Sequence, residues 1–350
     1  MQRARLAAAA AVMVLAALTT AGCSSGGDSP AKPSSAPPVG PDATSLVKTL
    51  NQIQATDTSR AWTTYGDLAA QRALGGGKTP EELRGMASYG WSTTWERDPE
   101  ARAQLGLSGG TADRAVEVGQ SHGAGRFDGG VDTAAVVDHA KKLGAAKDGT
   151  AGPLTLWRLA PDNENRLSQE LAELSRGTAD FDVLAVGPHT VVRAASRARA
   201  EILSAQGGKN TLARDQDFRA VADCLGKPLV ATLSNARIAP ASDVQKPAGF
   251  VAGAGVVGGS STKLVQTVCR TASSADEAKG IAAALRKELA HGSTRLSHLA
   301  WHTLLSGVQV KEMGGPAHVV RITGTSAKSP QLVLEMLRGG DLSDLLDTTD

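Results

Sequence analysis

The chain has 350 residues, 41% of them hydrophobic and 21% charged, which is enough apolar side chain for a sizeable core and excludes a generically disordered protein. Lys plus Arg number 37 against 35 Asp plus Glu, and a net charge of +2 excludes the broad basic footprint of a nucleic-acid-binding protein. Rings are scarce, with 5 Trp, 2 Tyr and 4 Phe, so alanine, glycine and the aliphatics must fill most of the interior.

The N-terminus carries Arg3 and Arg5, then an uncharged run from Leu6 to Leu18. That run is too short to span a bilayer and has the length of a signal h-region. Thr20-Ala21-Gly22 and then Cys23 follow. This segment resembles the lipobox of bacterial lipoprotein precursors, with Thr20 standing where leucine is usual. The resemblance implies removal of a signal peptide, residues 1–22, and a diacylglyceryl group on the Cys23 sulfur. It also implies attachment to the outer face of the cell membrane. Two acyl chains, at ~0.8 kcal/mol per buried methylene, hold a protein far more firmly than one. Loss of residues 1–22 removes two bases and no acid and leaves the chain formally neutral, so the anchor alone would keep it at a membrane.

Residues 23–44 comprise that cysteine and a stretch of Ser, Gly, Pro and Ala with 5 prolines, which reads as a disordered tether. At the usual scaling it would hold the body roughly 25 Å from the bilayer. Ser45 reads as a helix N-cap. From Thr56 to Leu107 the pattern is mainly helical: Thr79-Pro80-Glu81-Glu82 spells a capping box, and Asp98-Pro99-Glu100 opens another short helix.

From Asp113 onward the chain alternates hairpins with helices. Strands at 115–119 and 125–127 precede a helix at 131–143. Strands at 181–186 and 190–194 precede one near 196–205, and strands at 250–257 and 263–269 precede one at 275–290. Strands at 308–312 and 318–322 precede one at 331–338. Single strands are expected at 154–159 and 229–233. Because one such unit leaves its sheet open, the units must pair. The fold class is therefore α+β: antiparallel sheets from repeated hairpin–helix units, helices layered on one face, and an N-terminal helical segment. The proline-flanked stretch from Ile238 to Pro247 divides the body into a helical segment with a first α+β lobe (45–240) and a second lobe (241–340). Residues 341–350, with four aspartates, form an acidic tail expected to fray.

With Cys23 committed to lipid, Cys224 and Cys269 remain, an even pair in an oxidising compartment. A helix over 215–225 lying on a strand over 262–270 would bring them together as a disulfide. Two buried free thiols are the alternative, and no Cys/His signature marks either as a nucleophile.

Several motifs have bland explanations. Gly253-Ala254-Gly255-Val256-Val257-Gly258 spells G-x-G-x-x-G, but a strand-like run follows it where a dinucleotide site needs a helix. Gly77-Lys78-Thr79 lacks the leading glycine of a P-loop, since position 72 is Arg72. Ser260/Lys263 and Ser45/Lys48 match a serine–lysine pair without its companion motifs. His298 and His302 would share a helix face, yet Leu299 replaces the glutamate of a zinc protease. No motif requires a metal or cofactor. Trp62, Tyr65, Tyr89, Trp91 and Trp95 cluster in sequence; they form either a stacking platform for a ligand or the filling of a seam between helices and sheet.

The lipobox, the Ala/Gly-rich composition and the segment Trp62-Thr63-Thr64-Tyr65-Gly66-Asp67-Leu68 are similar to those of uncharacterised surface lipoproteins of high-GC actinobacteria. That resemblance implies a location and no catalytic residues. The expected function is a non-catalytic binding module at the cell surface, its partner a wall polymer, a lipid or a protein. A carrier of an apolar lipid or small molecule and an exported hydrolase are the alternatives.

Overall fold

The computed structural model describes residues 35–91, 103, 106–107, 110–119, 123–162, 181–237, 246–260 and 263–347. The first elements are α1 (Ser45–Leu50), α2 (Asp57–Ala61), β1 (Thr63–Asp67), α3 (Leu68–Leu74) and a 3₁₀ turn (Glu81–Met86). Then come β2 (Arg114–Val118), β3 (Ala124–Asp128), α4 (Thr133–Lys142), β4 (Ala146–Ala151), β5 (Leu154–Arg158), β6 (Val183–Val186), β7 (Thr190–Ala194) and α5 (Arg197–Ile202). A second 3₁₀ turn (Leu212–Arg214) leads to α6 (Gln216–Leu225), β8 (Val230–Arg237), β9 (Lys246–Ser260), β10 (Lys263–Ala272), α7 (Ala275–His291) and α8 (Trp301–Leu304). The last are β11 (Ser306–Met313), β12 (His318–Thr325), α9 (Leu332–Gly339) and α10 (Asp341–Leu346). Among the described residues, no helix is long and apolar enough to cross a membrane.

The protein is mixed α+β. Its twelve described strands form one open antiparallel sheet in the order β11-β12-β10-β9-β8-β1-β2-β3-β7-β6-β5-β4. The two flanks leave the central β8–β1 pair in the same order: two further strands of a meander, then a returning hairpin whose second strand docks first. The 240/241 boundary falls between β8 and β9, which pair from Val230 to Arg237 within this sheet. Both edge strands, β4 and β11, are polar and largely exposed, and each has a register shift against its neighbour.

Helices coat both faces, not one. On the first face Leu46, Val47 and Leu50 of α1, Ala200 of α5 and Phe218, Val221 and Ala222 of α6 lie over Tyr65, Val116, Val192, Ala231 and Val251. On the second, Ile281 and Leu285 of α7 and Val333 and Leu337 of α9 lie over Ala254, Val256, Val268 and Ile322. Val136 and Ala140 of α4 lie over Phe127, Leu184 and Val191. The reason is in the strands: Val183-Leu184-Ala185-Val186 and Val191-Val192 are apolar at both parities, the mark of a sheet buried on both sides. Each buried Leu, Val or Phe contributes about 1.5–3 kcal/mol, so neither coat is dispensable.

Three further expectations need correction. The region 56–107 is not mainly helical in its first part, because Thr63-Thr64-Tyr65 forms the central strand β1, paired with β2 and β8. β-branched and aromatic residues favour that pleated setting. Residues 35–44, expected within the tether, are ordered: Ser35 bridges Asp215, the Ala36 N–H donates to the Arg214 carbonyl at 2.8 Å, and Val39 and Ala43 pack on the core. The acidic tail is helical in α10, with Leu342, Leu345 and Leu346 buried. Two caps also differ: Thr44, not Ser45, caps α1, and the Thr79 capping box is replaced by a 3₁₀ turn without a side-chain cap bond. The expected helix at Asp98 lies outside the described residues.

The G-x-G-x-x-G run lies inside β9, and its glycines serve packing. A Cβ on Gly253 would lie 2.6 Å from Val221, and one on Gly255 3.4 Å from Leu225, both side chains of α6. Without those Cβ atoms α6 settles close to the sheet, as a G-A-G strand under a helix allows. Asp215 caps α6, its Oδ1 accepting from the N–H groups of Asp217 and Phe218, and Arg60 Nε donates to its Oδ2 at 3.0 Å. A Cys224–Cys269 disulfide then joins α6 to β10, 6.3 Å apart at Cα. Closing a loop with a sequence separation of 45 is worth about 4 kcal/mol in the chain-entropy account. Cys224→Ser should therefore lower the urea-unfolding free energy by about that amount. Reductant should destabilise the native protein and leave the variant unchanged.

Candidate functional site

The rings expected as a platform do not form one. Trp62, Tyr65, Tyr89 and Trp91 are all buried, and they belong to three separate parts of the core. Trp91 packs edge-on against Phe127, with centroids 5.7 Å apart, and its Nε1–H donates to the Ala87 carbonyl. Arg338 lies over the Tyr89 ring. Trp95 and Cys23 lie outside the described residues. The histidine pair is also split: His298 sits in a loop at φ 51°, while His302 is on the short helix α8. Ser260 ends β9 and Lys263 begins β10.

What the sheet does assemble is a polar row along one of its ends. Register places Asp67 of β1 beside Arg114 of β2, Arg114 beside Asp128 of β3, and Asp128 beside Thr190 of β7. Side chains in such a row stand on one face, about 4.5–5.5 Å apart at Cβ. Alternation puts this row on the face coated by α1 and α5, two positions beyond Tyr65, Val116 and Val192. The row borders a groove of about 690 Å³, within the usual range for a small-molecule site. Val39, Gly40 and Pro41 form one wall with Lys48, Asn51 and Gln52 from α1 and the turn after it. Pro153, Leu154, Pro188, His189 and the 205–207 loop line the groove as well, the Gly207 N–H donating to the Asn51 carbonyl at 3.0 Å.

Most polar groups of the row already have partners. Arg126 and Asp128 are both buried; Nη2 donates to Oδ1 at 2.8 Å and Nε to Oδ2 at 2.9 Å, while Nη1 donates to the Leu203 carbonyl at 2.7 Å. The Thr190 hydroxyl donates to Asp128 Oδ1 at 2.7 Å. Gln52, its amide turned to suit both partners, donates to Asp128 Oδ2 and accepts from Arg126 Nη2, each at 3.2 Å. Asp67 is engaged as well: Oδ1 accepts the Ala70 N–H to cap α3, and Oδ2 accepts the Tyr65 hydroxyl at 3.2 Å.

Arg114 is the exception. Both carboxylates flanking it are already committed, and its Nε is buried with no hydrogen-bond partner. Among the described residues, neither Arg114 nor the exposed Lys48 has an ion-pair partner. His189 also lines the groove, and no acid is among the groove's lining residues. A second cavity, about 490 Å³ at the ends of β9, β10 and β12, has the opposite balance. Asp217, Glu277 and Asp347 line it with Arg270, which stacks 4.2 Å from the Phe250 ring centroid and 3.8 Å from Glu277. The Ser273 hydroxyl, donating to Glu277, holds that carboxyl below its ordinary range, whereas burial first and then Asp215 push Asp217 up.

No protein-family model, no curated protein and no solved structure matches the chain. The chemistry of the groove must therefore be read from its own residues. Sequence reasoning missed Arg114, Arg126, Asp128 and Thr190, which come from three strands and adjoin only through the sheet register.

The site has a measurable alkaline signature. Burial chiefly, then the charge and hydrogen bond of Asp67, raise the Tyr65 phenol far above its ordinary 10.0. Burial also raises Tyr89. A raised phenol contributes stability that is fully present below 10.0 and is lost as pH climbs from there toward the folded value. These are the only 2 tyrosines, so phenolate absorbance should stay silent through pH 10.0 and appear only with unfolding. Tyr65→Phe should flatten the alkaline fall in stability. A native-state titration near 10.0 would contradict the assignment.

Proposed function

We propose that the protein is a lipid-anchored extracytoplasmic binding module, held by Cys23 on the outer face of the cell membrane, that captures an anionic ligand in the Lys48–Arg114 groove. The observation that carries this reading is the half-buried Arg114, which lines the same groove as Lys48 and, like it, has no ion-pair partner among the described residues. An Arg whose flanking carboxylates are committed elsewhere and a Lys in the same groove suit that chemistry. The groove has the features of a binding site more than of a catalytic one: the Thr190 hydroxyl is committed to Asp128, and Asp128 to Arg126. A wall polymer, a soluble anion and a lipid headgroup all offer the required oxygens. The like order of the two sheet flanks supports reading the hairpin–helix units as repeats of one plan.

Calorimetric titration of the full chain with inorganic phosphate should give saturable binding. Arg114→Gln should weaken it about tenfold or more, the scale of a charged hydrogen bond, and Lys48→Gln less. Equal affinity in wild type and Arg114→Gln would remove the groove from the function. The anchor has its own test: Cys23→Ser should leave the protein unlipidated, with a changed mature mass and loss from the membrane fraction. An unchanged mass and unchanged fractionation would end the lipoprotein reading.

A further inference from the structure

We infer that the anion taken by the Lys48–Arg114 groove is the phosphate of an anionic lipid headgroup, presented by the bilayer in which the Cys23 acyl chains sit. This rests on the anchored anion-binding reading proposed above and adds the source of the ligand. The argument is one of position. The chain reaches the body at Ser35 and Ala36, fixed to Asp215 and Arg214. Only four residues later Val39, Gly40 and Pro41 form a wall of the groove. At the contour length of a polypeptide, the groove wall lies within about 14 Å of the point where the chain leaves toward its anchor. Twelve residues separate Cys23 from Ser35, so even at full stretch the bilayer is at most about 40 Å from that point. Part of the groove lining, Val39 to Pro41, thus belongs to the segment that leads toward Cys23.

The chemistry agrees with the position. From Cys23 onward the chain as a whole is balanced in charge, so it has no general attraction to an anionic surface; Lys48 and Arg114 are a local surplus within it. A phosphodiester offers acceptor oxygens to both, and Pro41, Leu154 and Pro188 give the groove an apolar lining that can rest against the glycerol backbone. Two cations in one groove repel the ammonium of a choline headgroup, so the groove selects a headgroup with net negative charge, such as phosphatidylglycerol.

The test uses the lipidated full chain. It is reconstituted in phosphatidylcholine vesicles, or in the same vesicles with a fifth of the lipid replaced by phosphatidylglycerol. A neutral amine-reactive reagent labels lysines, and mass spectrometry compares Lys48 with the exposed Lys279 of α7. We expect Lys48 to label about tenfold more slowly in the anionic vesicles, Lys279 to be unaffected, and the difference to vanish in Arg114→Gln. Equal Lys48 rates in the two vesicles, or equal slowing of Lys279, overturn the lipid assignment. A parallel arm adds inorganic phosphate to the protein in neutral detergent. Protection there without extra protection by phosphatidylglycerol makes a soluble phosphate the ligand, leaving the anionic groove intact and the lipid source wrong. Protection in neither arm removes both.

Discussion

A sheet that is apolar on both faces cannot stand alone in water, and that constraint organises the whole molecule. The twelve described strands, in one layer, expose two broad hydrophobic surfaces, and each must be covered before the other contributes to a stable fold. Short amphipathic helices supply the cover. α7 and α9 lie over one flank and α4 over the other on one side; α1, α5 and α6 coat the opposite side. With so few large rings, close approach of backbones replaces bulk, and Gly253 and Gly255 let α6 sink onto β9. The disulfide fixes the same helix to the next strand, so the cover most dependent on small residues is also the one held covalently.

Much of this plan was legible in the sequence. Amphipathic spacing located α4, α6, α7 and α9, and hairpin turns located β2–β3, β6–β7, β9–β10 and β11–β12 within a few residues. Cysteine parity pointed to the bond between Cys224 and Cys269. Other features depend on tertiary context. Thr63-Thr64-Tyr65 is too short to declare itself a strand, and only its two neighbours make it one. Ala36, Val39 and Ala43 are small residues in a proline-rich stretch whose packing becomes visible only against the body. Rings close in sequence were dispersed because β1 sends Tyr65 to one face while Trp62 joins the core on the other.

The groove shows why a site of this kind escapes sequence reading. Asp67, Arg114, Asp128 and Thr190 are separated by tens of residues and carry no motif. They become neighbours because β1, β2, β3 and β7 are in register. A one-residue slip in any pair would send a charged side chain to the other face. Within the row, the Asp128 carboxylate serves Arg126, Thr190 and Gln52 together, and Asp67 serves a helix cap and a phenol. The surplus charge of Arg114 therefore arises from the allocation of acceptors around it, not from any unusual feature of the residue.

Among the described residues the sheet is open and ends in two strands without an outer neighbour. β4 presents Lys147 and Asp148 and β11 presents Lys311 and Glu312, and the shift in register at Lys147/Thr150 and at Ser306/Gln309 breaks the line of backbone donors and acceptors. Charge and irregularity of this kind keep a strand from templating another. Proteins confined to a plane meet one another far more often than the same number of molecules in solution, and always in similar orientations. For a chain held that way, blunt margins are what allow dense packing of neighbours without their sheets fusing into a ribbon.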